Sequence, residues 1–164
     1  RNASSLLHEI VNVENVPGEV PLKDKIVVVD FNPEVSQSLQ SMGVKVIYGD
    51  ISHPDTLHHA GIGDVRIVIS TIPDTILVGT DNLKIIRHMK EICPGAKIIV
   101  TAESAERALK MYAEGADYVF LPRILAAKNL MDILHHFTND RCEDVKRIAA
   151  EELEMLQGRY ELIR

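Results

Sequence analysis

Acidic and small polar residues follow successive apolar runs along this 164-residue chain, and the first of them is Asp30, which ends the run 25–30. An acid placed directly after a buried parallel strand can accept hydrogen bonds from both hydroxyls of a ribose. A charge-assisted hydrogen bond of this kind contributes roughly 1.5–3 kcal/mol, and the same charge repels a 2′-phosphate. Because Asn32-Pro33 follows at once, capping of the next helix is the alternative role for Asp30.

The residues around the next run extend this candidate site from a sugar to a base. Phe31 and Asn32 follow the acid directly and are assigned to the same site. Gly49-Asp50-Ile51 ends the second run, where glycine lets a ligand approach the backbone. Asp50 can accept a hydrogen bond from the amino group of an adenine, and Ile51 can cover the ring. The alternative is a strand-to-helix turn that Asp50 or Ser52 caps.

Two further segments fall at the same edge of the predicted sheet. Thr71-Ile72-Pro73-Asp74 follows the third run, where ligands lie in open α/β sheets, so these residues are predicted to line the cleft. Asp74 could equally cap the following helix. Asp81-Asn82 lies further into that helix, which is less favourable for a ligand contact. Glu103 follows the fourth run and is a candidate polar contact, a metal-supporting acid or a solvated residue.

The elements that must position these residues are apolar runs alternating with helical patterns. Continuous apolar runs indicate parallel strands buried on both faces. Asn32-Pro33-Glu34, Ser52 and Ser104 predict helix starts, and Gly43, Gly61 and Gly115 predict helix ends. The alternation predicts an α/β fold, a Rossmann-like doubly wound parallel sheet. The predicted strands are 25–30, 44–48, 66–70, 97–101 and 118–120.

The beginning of this pattern lacks an expected strand. Residues 2–11 are predicted to form a helix and residues 12–22 an irregular connection. A helix followed by the strand that ends at Asp30 is the second half of a βαβ unit, so a strand should precede them. In the strand order 3-2-1-4-5-6 the first strand is central. We therefore predict that this strand and its glycine-rich turn lie upstream of residue 1, in an earlier segment or in another polypeptide. A different fold is the alternative.

The C-terminal part of the chain departs from the α/β pattern. A last helix of the repeat is predicted from about Ile124 to Phe137, which places a nucleotide-binding domain at 1–138 and a helical tail at 139–164. Asp140 with Glu143 resembles a capping box at the start of the tail helix. The apolar stripe of this helix needs a partner, which could be the domain itself, a second subunit or a neighbouring domain.

Composition and charge exclude several classes of function. The formal net charge of −6 argues against non-specific nucleic-acid binding, which requires a basic face. No run of about 18 apolar residues predicts a membrane-spanning helix. The two cysteines form no CxxC motif, and adjacent histidines do not converge on one ion, so no metal site is predicted.

Taken in order, these segments resemble the TrkA-N family, also called RCK or KTN domains, and are most similar to Kef-type cation/proton antiporters. The resemblance implies a cytoplasmic domain that dimerises through helices and binds NAD(H), AMP, ADP or ATP. It also implies an integral membrane potassium channel or cation transporter outside this chain. The domain would shift this partner between its open and closed states. Asp30 would hold the ribose, Asp50-Ile51 the adenine, and 71–74 the cleft wall. The resemblance rests on residues 27–34, 43–50, 69–74 and 114–122.

This chain departs from the family pattern in two places. The glycine fingerprint is absent, and Ala102-Glu103 stands where many relatives carry an arginine. The second departure favours AMP or NAD(H) over ATP.

Two other classes of function remain as alternatives. A NAD-dependent short-chain oxidoreductase would require a proton donor such as a Tyr-x-x-x-Lys pair, and no tyrosine of this chain has a lysine four residues on, so no catalytic residue is assigned. An interaction module with a vestigial nucleotide site is the second alternative.

Overall fold

The computed structural model describes residues 2–13, 18–51, 53, 56–57 and 61–157. Each predicted strand is confirmed, with bounds that differ from the prediction by no more than two residues. The short helix predicted after Ser52 lies largely outside the described residues. The strands are β1 (Val27–Asp30), β2 (Lys45–Tyr48), β3 (Ile67–Ser70), β4 (Lys97–Thr101) and β5 (Tyr118–Phe120).

The helices that follow Asn32 and Ser104 begin where the sequence predicts, whereas the helix after β3 is capped by Asp81 and not by Asp74. Asn32 accepts a hydrogen bond from the Glu34 N–H at 2.9 Å, and Ser104 accepts one from the Arg107 N–H at 3.2 Å. Gly115 ends its helix in the left-handed region, at φ 105°. The α-helices are α1 (Asn2–Asn12), α2 (Pro33–Ser41), α3 (Asn82–Ile92), α4 (Ala105–Glu114), α5 (Pro122–Thr138) and α6 (Cys142–Gln157).

All strand pairs are parallel, as the continuous apolar runs predict. In the described part of the chain the strands form two sheets, β1–β2 and β3–β4–β5. β1 and β3 therefore each have one edge that pairs with no described strand. The strand predicted from the sequence would lie between these two edges, and where it comes from stays a prediction.

The apolar core is distributed over the two sheets and the helices that cover them. Leu7, Val35, Leu39 and Val44 form one buried cluster, against which Val28 and other half-buried apolar residues pack. The second sheet is covered by α3 and α4. Its fully buried apolar side chains include Ile86, Met89, Met111, Ile98 and Val100.

Ion pairs at the amino end of β4 and across α3 and α4 stabilise the side of the sheet opposite to the candidate site. Lys97 Nζ lies 2.9 Å from Asp117 Oδ1, and the backbone N–H of Ile98 donates to Asp117 Oδ2. The hydrogen bond from Lys97 holds the pKa of Asp117 below its ordinary value. Arg87 contacts Glu114 at 2.9 Å, and this hydrogen bond raises the pKa of Arg87.

A second compact unit begins at Leu121 and contains α5 and α6, which pack against each other. The domain boundary predicted after Thr138 stays a prediction, although the compact units divide at the end of β5. The capping box predicted at Asp140 is wrong: Asp140 adopts φ 56° and the helix begins two residues later, at Cys142. An N-cap residue has extended backbone angles, which Asp140 lacks.

None of the described helices combines the length and the hydropathy that a bilayer crossing demands.

Candidate functional site

The predicted site residues at the ends of β1 and β2 lie side by side. The Gly49 N–H donates a hydrogen bond to the Asp30 carbonyl at 3.1 Å, so the parallel pairing of β1 and β2 continues to this edge. Asp30 Oδ1 accepts a hydrogen bond from the Asn32 N–H at 2.7 Å. Asp30 Oδ2 accepts none from the described residues. One oxygen of Asp30 therefore orders the turn into α2, but the N-cap of that helix is Asn32, so the alternative prediction that Asp30 caps it is wrong. The other oxygen is available to a ligand.

The neighbours of Asp30 are exposed. Phe31 is 65% exposed, so its ring presents a flat apolar surface beside the acid. Asn32 uses its side-chain oxygen to cap α2, which leaves its amide nitrogen for a ligand.

The end of β2 is more exposed than the end of β1. Asp50 is exposed, and its Oδ2 lies 3.5 Å from His53 Nδ1, an ion pair when the imidazole is protonated. Ile51 is half-buried. A side chain at Gly49 would collide with the methyl group of Thr56. Packing against Thr56 therefore accounts for glycine at this position without a ligand.

The loop after β3 is held by Asp74. Its Oδ1 accepts hydrogen bonds from both the backbone N–H and the side-chain amide of Asn82, each at 2.8 Å. Its Oδ2 accepts a hydrogen bond from Arg107 Nε of α4. The predicted residues of this loop, Thr71, Ile72, Pro73 and Asp74, are all half-buried. Asp74 therefore has a structural role: it links the loop to two helices.

Asn82 joins the same loop to the sheet. The residue is fully buried, and its side-chain amide also donates to the carbonyl oxygens of Ile72, at 2.9 Å, and of Thr101, at 3.3 Å. Thr101 in turn donates to the Ser70 carbonyl at 2.9 Å. Asn82 Oδ1 has no hydrogen-bond partner among the described residues. These contacts fix the carboxyl ends of β3 and β4 relative to each other and to α3.

Arg107 is the residue of this site that sequence analysis missed. Besides Asp74, its guanidinium faces Asp81, with Nη2 3.6 Å from Asp81 Oδ1. Asp81 itself caps α3 by accepting from the Lys84 N–H at 2.9 Å. The signal was available: Arg107 is the third residue of a helix that Ser104 caps directly after β4. A side chain in that first turn lies at the carboxyl edge of the sheet.

Glu103 contacts the loop after β3, as its position after β4 predicts. Thr75 Oγ1 donates a hydrogen bond to Glu103 Oε1. Among the described residues, no group of three or more histidines, cysteines or acids could hold a metal ion. Arg107 thus contacts two acids, Asp74 and Asp81, while Glu103 contacts Thr75 of the same loop.

Comparison with known sequences identifies the domain. The TrkA-N domain model matches residues 12–122. The glutathione-regulated potassium-efflux system protein KefC of Enterobacter sp. (strain 638) is 31% identical over 93 residues, which are 57% of this chain and 14% of that protein. The KefC protein of Escherichia coli O139:H28 is 30% identical over 93 residues, which are again 57% of this chain and 14% of that protein. The chain therefore matches about a seventh of the length of these relatives.

Solved structures show the same fold. The TrkA-N domain of inner membrane protein ybaL from Escherichia coli has a TM-score of 0.59 at 19% identity and covers 66% of this chain and 77% of its own. The NAD(P)-binding domain of an exopolyphosphatase-related protein from Archaeoglobus fulgidus has a TM-score of 0.56 at 22% identity. The match covers 68% of this chain and 80% of that domain's chain. The Rossmann-like fold and the resemblance predicted from the sequence are confirmed, and the chain belongs to the TrkA-N family.

Proposed function

We propose that this chain is a nucleotide-sensing regulatory domain, which binds an adenine nucleotide at the carboxyl edge of its sheets and acts on a cation transport system. The observation that carries the proposal is Asp30 at the end of β1. Its Oδ2 accepts no hydrogen bond from the described residues, while Oδ1 and the backbone hold the carboxylate in place. A fixed acid at the end of this strand suits the two hydroxyls of a ribose.

The ligand in this proposal is AMP or NAD(H) rather than ATP. One solved structure with this fold is an NAD(P)-binding domain, which supports the binding of a nucleotide. The charge of Asp30 disfavours a 2′-phosphate and thus NADP. Asp50 and Ile51 would contact the adenine, and the exposed ring of Phe31 could cover it. The loop 71–74 and Glu103 would complete the wall of the site.

The transporter that this domain would regulate lies outside the chain. The curated relatives are potassium-efflux proteins, and the chain matches 14% of their length. The proposed partner is therefore an integral membrane cation transporter, a potassium or sodium/proton antiporter, with this domain on its cytoplasmic side. Nucleotide binding would favour one geometry of the domain, and the attached transporter would follow by population shift. The chain itself regulates and does not catalyse.

A homodimer is the second part of the proposal, and the helical unit supports it. α5 exposes apolar residues on several sides, including Leu130, which is 60% exposed. α6 adds Leu153, Met155 and Leu156, each more than half exposed. One face of α5 is also open and mainly apolar. Its lining residues are Arg123, Ile124, Ala127, Lys128, Met131 and Asp132. So much exposed apolar surface on one helical unit is typical of an interface.

Native mass spectrometry of the full chain tests nucleotide sensing. We expect AMP or NAD(H) to co-purify with the protein or to bind when added, and the mass of the released ligand to identify it. A protein that stays empty with every adenine nucleotide would instead be an interaction module. Turnover of NADH with a small carbonyl substrate would point to the oxidoreductase alternative.

Removal of the residues after Thr138 tests the dimer. We expect the full chain to be a dimer by light scattering and the trimmed chain to be a monomer or to precipitate, because α6 covers part of α5. The chain with Lys146→Gln, which removes only an exposed ion pair with Glu143, is the control and should stay dimeric. A monomer with and without the tail would contradict the proposed interface.

A further inference from the structure

We propose that one face of α5 pairs with the same face of a second copy of this chain, with the two helices antiparallel and their register fixed by Arg123 and Asp132. This inference rests on the proposed homodimer and deepens it, because it names the contact surface, its direction and the residues that determine both. The surface, which we call the open face of α5, is lined by Arg123, Ile124, Ala127, Lys128, Met131 and Asp132.

α6 packs on the opposite side of α5. The α5 residues that line a recess together with Val145, Ile148 and Ala149 of α6 are Ala126, Asn129, Leu130 and Ile133. Because successive residues of an α-helix are rotated by about 100°, these residues and the open face lie on opposite sides of α5. On the open face, Ile124 is 42% exposed and Met131 is 49% exposed. A further helix could bury these apolar side chains without displacing α6.

The charges of the open face lack partners within the chain. On α6, by contrast, Lys146 pairs with Glu143. Arg123, Lys128 and Asp132 are exposed and form no ion pair with the described residues. Arg123 and Asp132 are separated by roughly 13 Å along α5, at a rise of about 1.5 Å per residue. This distance is too long for the two side chains to pair within one helix, so each requires a partner from elsewhere.

The spacing of the open face makes it complementary to itself. In an antiparallel pair whose two-fold axis passes between Ala127 and Lys128, each residue faces the one at the same distance on the other side of the axis. The facing pairs are Arg123 with Asp132 of the partner subunit, Ile124 with Met131 of the partner subunit, and Ala127 with Lys128 of the partner subunit. Every pair occurs twice, because a two-fold interface uses the same patch on both subunits. Opposite charges and apolar side chains therefore meet across the whole face.

A parallel arrangement of the two helices is disfavoured by the same residues. It would place Arg123 against Arg123 of the partner subunit and Asp132 against Asp132 of the partner subunit, and like charges repel. The small side chain of Ala127 at the antiparallel axis suits close packing, with helix axes about 8–10 Å apart. The aliphatic part of Lys128 can cover it while the ammonium group stays in water. The charges thus set the direction of the pair, and the apolar residues supply the burial.

Charge reversal, followed by analytical ultracentrifugation of the full chain over a concentration series, tests this pairing. We expect Arg123→Asp and Asp132→Arg each to weaken the dimer by about tenfold, because both copies of the ion pair become repulsive. The double variant should dimerise like the wild type. An equimolar mixture of the two single variants should form heterodimers, since each then offers the charge that the other requires. An ion pair within one chain could not give that result.

Lys84→Asp is the matched control. It makes the same change in net charge as Arg123→Asp at an exposed position of α3, and it should leave the dimer unchanged. Equal melting temperatures would show that the variants keep their fold. If the wild type is a dimer and charge reversal leaves it intact, or if neither the double variant nor the mixture restores it, the inference is overturned while the proposed homodimer stands. A wild type that is monomeric at every concentration would instead refute the homodimer itself.

Discussion

Replacing Asp30 with alanine is expected to weaken the binding of AMP or NAD(H) by about tenfold or more, because a charge-assisted hydrogen bond contributes roughly 1.5–3 kcal/mol. The variant removes the oxygen that is available to the ribose and also the one that accepts from the Asn32 N–H. The second loss affects the turn into α2 and should lower stability slightly. Calorimetric titration, with the melting temperature measured in parallel, separates the two effects.

A matched control for this variant lies at the other end of the same strand. Asp24, in the short 3-10 helix before β1, is exposed and remote from the carboxyl edge. Asp24→Ala removes the same charge from the chain and should leave nucleotide affinity unchanged. If Asp30→Ala binds as tightly as the wild type, Asp30 does not hold the ribose. If both variants weaken binding equally, the effect comes from net charge and not from this position.

The strands and most helix ends were predictable because each depends on residues that are close in sequence. β4 reads as a continuous apolar run because both of its faces are covered. Asn32, Ser104 and Gly115 act within one turn of their helices, so their types are sufficient. Asp140 shows the limit of this reasoning. Its type and its distance from Glu143 suit a capping box, but its backbone conformation does not.

The contacts of the candidate site were predictable only in part, because they join distant segments. That Asp30 and Asp74 lie at strand ends follows from the pattern of apolar runs. The pairing of Asp74 with Arg107 spans 33 residues, and no local pattern reports it. The sequence predicts that Asp81 and Asn82 lie a turn or two into the helix and disfavours a ligand contact there, but Asp81 is the N-cap and Asn82 the first residue of α3. The burial of Asn82 makes it the centre of the loop's hydrogen bonds. Such contacts depend on how α3 and α4 pack.

Replacing Asn82 with alanine is expected to lower the free energy of unfolding by about 2–4 kcal/mol, the second large effect that the structure predicts. The side-chain amide donates to the carbonyl oxygens of Ile72 and Thr101 and to the carboxylate of Asp74. Alanine would leave these acceptors without that donor and would create a small cavity in a fully buried position. Urea denaturation followed by circular dichroism measures the change.

The control and a second variant make this prediction specific to the amide. Lys84→Ala lies on the same helix, is exposed and should change stability by no more than about 0.5 kcal/mol. Asn82→Asp keeps the shape but replaces the donor with a charge beside Asp74, so it should destabilise at least as much as alanine at neutral pH. Its effect should shrink as the pH falls and the new carboxyl is protonated. A stable Asn82→Asp variant at pH 7 would show that the amide does not hold the loop, and the fixed position of Asp74 beside Arg107 would then need another cause.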